Sequence, residues 1–150
     1  MDLWELIARE EIRELVARYA HCADSGRFEE LVALFAEDGL LQIDDREPLR
    51  GRDSILAFFA STRSDVRESS VRSIRHHVSS LGIDVAAPVA ATGASYFLVV
   101  TERGPDHWGR YRDRYTVSGG RWLFAAREVR VDGVAAGSWA AARRGASQPS

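Results

Sequence analysis

The chain keeps two kinds of hydrophobic periodicity apart, and that separation limits its fold more than any other feature. Before about residue 63 apolar side chains recur at intervals of three and four; after about residue 73 they tend to alternate. The first regime predicts amphipathic helices and the second predicts strands lying on a core. Leu3, Ile7, Ile12, Leu15, Val16, Tyr19, Ala20 and Ala23 make one long helix that Gly26 ends. Phe28, Leu31, Val32 and Phe35 continue the spacing into a second helix, stopped near Asp38-Gly39. A short strand over Leu40 to Ile43, a turn at Pro48 to Gly51, a third helix on Ile55, Phe58, Phe59 and Thr62, and a loop from Ser64 to Ser70 follow. Four strands complete the chain, near 73–85, 89–102, 107–117 and 121–131, divided by Ala-Pro, Gly-Pro and Gly-Gly.

Helices gathered at one end and antiparallel strands at the other imply an α+β fold, with a strongly bent sheet wrapping the long first helix. A chain of 150 residues suits one core. The domain is expected to occupy residues 1–135. The Ala, Gly, Ser and Arg composition of 136–150 reads as a partly disordered tail, from which Trp139 can dock on the domain.

Several functions are excluded by what the chain lacks. All 20 basic residues are arginine and there is no asparagine, so a Schiff-base lysine, a phosphate-loop lysine and a kinase catalytic loop are ruled out. A net charge of −2 does not suit a nucleic-acid surface. No apolar run is long enough to span a bilayer, and the acidic, helically patterned first residues point to the cytoplasm. The single cysteine, Cys22, reads as a small core residue. Neither a metal clamp spacing, a Gly-x-Ser-x-Gly elbow nor a dinucleotide fingerprint is present, so no metal and no cofactor are expected.

Asp24 shares the stripe of Ile12, Val16 and Ala20, which aims its carboxylate inward as a base would need; Asp-Ser-Gly is equally a common turn. His76 and His77 are adjacent on a strand and leave it on opposite faces. His77 shares parity with Ser79, Leu81, Ile83 and Val85, and His76 with Ile74 and Val78, so the pattern does not choose between them. Tyr111, Asp113 and Tyr115 alternate with Arg110, Arg112 and Arg114, which puts aromatic and acidic groups on one face and guanidinium groups on the other. Asp113 is therefore either an aid to a pocket base or a partner for Arg127 on the next strand.

The wording of these segments resembles a known family. Arg18-Tyr19-Ala20-His21-Cys22-Ala23-Asp24-Ser25-Gly26-Arg27-Phe28 and Leu34-Phe35-Ala36-Glu37-Asp38-Gly39 are similar to the opening of SnoaL-like proteins in the nuclear transport factor 2 superfamily. Arg75-His76-His77-Val78-Ser79-Ser80, Gly109-Arg110-Tyr111-Arg112-Asp113 and Gly120-Arg121-Trp122-Leu123-Phe124 resemble their later strands. The resemblance covers about residues 3–133 and implies a cone of helices packed in a curved, mostly antiparallel sheet.

It is nearest the branch of scytalone dehydratase and hexachlorocyclohexane dehydrochlorinase, where a buried Asp pairs with a strand His. Carried over, these fall on Asp24 and His77 as catalytic residues, with Tyr19 and Arg127 matching further polar positions of the site; Asp113 and Tyr111, from the strand alternation, join them as substrate-binding candidates. The second catalytic histidine of scytalone dehydratase matches Thr101 here, so that particular activity is not implied. What is implied is a cofactor-free lyase or isomerase, performing dehydration, a double-bond shift or cyclisation on a small hydrophobic polyketide-like, aromatic or steroid-like substrate. A homodimer through the convex sheet face belongs to the same resemblance. The alternative it carries is a non-catalytic subunit similar to the small subunits of ring-hydroxylating dioxygenases.

Overall fold

The structure, a computed structural model, describes residues 1–141. Helix α1 (Leu3–Ser25) is followed by a short α2 (Phe28–Val32), strands β1 (Phe35–Ile43) and β2 (Leu49–Arg50), and helix α3 (Arg52–Glu68). Four long strands close the sequence: β3 (Ile74–Ala87), β4 (Ala90–Thr101), β5 (Gly104–Ser118) and β6 (Arg121–Val134). They form one six-stranded sheet in the order β2-β1-β6-β5-β4-β3. Every pairing is antiparallel except β1 against β6. The expected α+β architecture is therefore present, with the helices on the concave side of a curved sheet.

Helix α1 buries Ala8, Ile12, Leu15, Val16, Tyr19, Ala20 and Cys22 against the sheet. Its apolar stripe engages only from Ala8; Leu3 and Ile7, expected inside, are exposed on the first two turns. Gly26 ends the helix in the left-handed conformation, its N–H donating to Ala23 and that of Arg27 to Cys22. This Schellman closure leaves Asp24 in the last turn, facing the sheet.

Phe35 departs from its helical spacing. Helix α2 stops at Val32, and Phe35 instead begins β1 opposite Phe124, the two rings 5.2 Å apart. Phe124 N–H donates to Leu34 O, so pairing with β6 overrides a local pattern that suits a helix. The segment read as a loop from Ser64 is helical as far as Glu68, because the half-buried Val66 extends the cavity-facing spacing of Phe59 and Thr62 by another turn.

The long hairpins hold the sheet's curvature. Gly119 and Gly120, both at positive φ, make the tight β5–β6 turn. Register shifts occur at Ser79/Gly82 in β3 and at Trp108/Gly109 in β5. At Gly109 the strands approach so closely that an added Cβ would lie 1.9 Å from the Arg130 carbonyl oxygen. Beyond β6 the expected tail is packed as far as it is described: Ser138 is buried and Trp139 partly so. The disorder expected further on falls at residues 142–150, outside the described residues.

Candidate active site

A cavity of about 460 Å³ opens between the C-terminal half of α1, helix α3 and the concave face of the sheet. Its wall is mainly apolar, built from Phe58 and Phe59 of α3 and from Phe97, Val129 and Val131 of the sheet. Tyr19, Asp24, His76, His107 and Tyr111 supply the polar groups discussed below.

Asp24 meets His76. Its Oδ1 lies 2.6 Å from His76 Nδ1, and both carboxylate oxygens accept the His76 backbone N–H, at 3.1 and 3.0 Å. The carboxylate thus pins the last turn of α1 to the start of β3 and orients the imidazole. A ring that donates from Nδ1 to a carboxylate keeps a lone pair on Nε2.

His77, the histidine that the family resemblance favoured, is exposed on the other face. The cause is a bulge. Ile74, His76 and Val78 face inward, Ser80 takes a positive φ of 54°, and after the register shift Leu81, Ile83 and Val85 face inward instead. One extra residue reverses the parity of the strand, which is why both histidines had apolar companions in the pattern.

Arg127 and Asp113 form a fully buried pair, each side chain with 0% exposure. Arg127 Nε and Nη2 donate to Asp113 Oδ1 and Oδ2, both at 2.9 Å, and the Tyr115 hydroxyl donates to Oδ2 at 2.9 Å. The guanidinium carbon lies 3.8 Å from the Tyr111 ring centroid, 4.2 Å from Tyr19 and 4.5 Å from Phe124. Tyr19 and Tyr111 are in the cavity wall; Arg127 and Asp113 are not. Neither ionic group reaches the cavity wall; the pair stacks against the two tyrosines that do, and bears the floor on which they rest. Burial pulls the Arg127 pKa down, but the adjacent Asp113 carboxylate more than reverses this, and the guanidinium stays charged. Burial raises the pKa of Tyr19 and Tyr111, so both phenols remain protonated and can donate hydrogen bonds.

His107 has no role in the sequence reading, yet it lines the cavity. Its Nδ1 lies 2.8 Å from Asp106 Oδ2. The adjacent letters Asp106-His107 are the only sequence signal, and neighbours on a strand ordinarily point apart. Among the described residues no three His, Cys, Asp or Glu side chains converge as a metal ion would require.

Comparison with known proteins agrees with this fold. A provisionally designated scytalone dehydratase from Novosphingobium aromaticivorans superposes with a TM-score of 0.78 at 26% identity, over 90% of this chain and 91% of that one. A nuclear transport factor 2-like protein with a cystatin-like fold, from the same organism, gives 0.74 at 27% identity over 99% and 98%. LinA gives 0.76 at 18% identity over 91% and 95%, a likeness of fold. No curated protein matches the chain. The sequence family described as the SnoaL-like domain matches residues 4–128, and the chain belongs to that family.

Proposed function

We propose that the cavity is a cofactor-independent active site in which Asp24 and His76 work as a general-base dyad. The reading rests on one observation above others: His76 Nδ1 is committed to a carboxylate 2.6 Å away while its ring lines a largely apolar cavity. Asp24 holds the tautomer and stabilises the imidazolium that forms when Nε2 takes a proton from substrate. Tyr19 and Tyr111, protonated and close to a fixed positive charge, stabilise negative charge developing on a substrate oxygen.

The class of reaction is elimination, double-bond migration or ring closure on a small hydrophobic polyketide-like, aromatic or steroid-like molecule. The likeness to a provisionally designated dehydratase supports a lyase over a hydrolase. Turnover is tested by screening such substrates with the wild type, His76→Gln, Asp24→Asn and His77→Ala. General-base catalysis is typically worth about 10²–10⁴ in rate. Losses of that order in the first two variants and none in the third are expected. Unimpaired turnover in folded His76→Gln would refute the dyad.

The convex sheet face is proposed as a homodimer surface, since it exposes Tyr96 by 57% and Trp108 by 40%. Tyr96→Arg should then yield a monomer in sedimentation velocity. A wild type that already sediments as a monomer would end that proposal.

A further inference from the structure

A second Asp–His pair faces the same cavity from β5. The Asp106 oxygen that accepts His107 Nδ1 also accepts the Ser138 hydroxyl, at 2.6 Å, and so fixes the pair to the segment after β6. Trp139 packs edge-on against the imidazole with 5.6 Å between centroids, and Phe97 does so at 6.0 Å.

Sheet register puts this ring beside the first. Val99 of β4 is the cross-strand partner of His76 in β3 and of His107 in β5. Residues paired across neighbouring strands project from the same face, and two strand spacings separate their backbones by about 10 Å. Both imidazoles line one cavity, on either side of a fully buried valine.

With Nδ1 donating to Asp106, the Nε2 of His107 bears the lone pair. None of the described residues donates to it, and it is not among the buried polar atoms sealed off without a partner. Burial holds the His107 pKa below its usual value, the Asp106 hydrogen bond opposing this only in part, so the neutral ring persists. An acceptor set in an apolar wall is left unsatisfied by any ligand without a donor. Sites of this kind reject the analogue that lacks a hydroxyl far more strongly than pockets that only fit a shape.

We propose that His107 is a specificity-determining residue whose Nε2 accepts a hydrogen bond from a ligand hydroxyl, so that the cavity selects hydroxylated ring compounds lying between His107 and His76. This rests on the reading of the cavity as the ligand site and is independent of turnover.

The test compares 2-naphthol with 2-methoxynaphthalene by isothermal titration calorimetry, using wild type, His107→Phe and His76→Phe. Loss of one hydrogen bond to a buried acceptor corresponds to a preference of about tenfold or more for the naphthol. That preference should vanish in His107→Phe and persist in His76→Phe. In the wild type, the nitrogen-15 resonance of His107 Nε2 should move upfield with 2-naphthol only, a readout that needs no variant to fold. Equal affinity for the two probes, binding of neither, a preference that follows His76, or an unmoved Nε2 resonance would overturn the proposal. Failure of the general-base dyad would leave these binding results unchanged and show only in turnover.

Discussion

Replacing Arg127 with methionine removes the cation from beneath the cavity while keeping most of the side-chain volume. The cost follows from what stays behind. Asp113 loses both 2.9 Å charge-assisted bonds and keeps only the Tyr115 hydroxyl, in a place where neither partner of the pair has any exposure. Breaking a buried pair from one side typically costs about 3–5 kcal/mol. Three aromatic rings lose their cation as well, and a domain's whole stability is only about 5–15 kcal/mol. Arg127→Met should therefore unfold at a much lower urea concentration, followed by circular dichroism, with its m value unchanged. Arg127→Met with Asp113→Leu abolishes both charges and strands only a neutral hydroxyl, a penalty of about 1–3 kcal/mol. The double variant should thus be no less stable than the single one. A loss below about 1 kcal/mol in Arg127→Met, or a double variant that falls by the sum of its singles, would refute the account of the pair as a mutually dependent unit.

Three further outcomes are expected. Gly109→Ala should lose about 1–3 kcal/mol or more in chemical unfolding, since its Cβ would meet the Arg130 carbonyl, a backbone atom that cannot swing aside; a neutral result would mean that the strands are not so close. Because burial lowers the folded-state pKa of His107, the unfolded chain takes up that proton first as pH falls. The associated stability is complete above the unfolded value of about 6.5 and is lost as pH drops through the folded one. The loss between pH 7.5 and 5.5 should accordingly be smaller in His107→Phe than in the wild type, and equal losses would contradict a buried neutral ring. Asp24→Ala should destabilise the protein as well as silence it, because it removes the acceptor of both the His76 N–H and ring bonds; calorimetric melting at unchanged temperature would argue against the pinning role.

Much of the fold was legible because periodicity survives in single elements. Gly26 and the Gly119-Gly120 turn sit where the pattern breaks, and the long strands begin and end within a few residues of expectation. Phe35 was misread because a spacing of three to four residues looks helical until the partner strand is known, and that partner, β6, lies nearly ninety positions away. Asp24 was legible from the helix stripe. Its histidine was not: the left-handed position of the bulge is held by Ser80, with Gly82 at its edge as the one cue, and a resemblance carried over position by position cannot register a change of face. Arg127 and Asp113 were paired correctly as a structural alternative, but only the Tyr19 and Tyr111 rings reveal that the pair lies outside the cavity wall. His107 escaped notice because its partner is the preceding residue and its packing comes from Trp139, within the segment read as tail.

The bulge at Ser80 gives β3 two reading frames. Upstream the even-numbered side chains serve the cavity, and downstream the odd-numbered ones serve the core. Removing one residue there would put a single frame through the whole strand, so that either the His76 end or the Leu81 end turned inside out. Any comparison of this strand with a relative lacking the bulge must therefore carry a one-residue gap at that point. Without it, the columns on one side would set inward-facing residues against outward-facing ones.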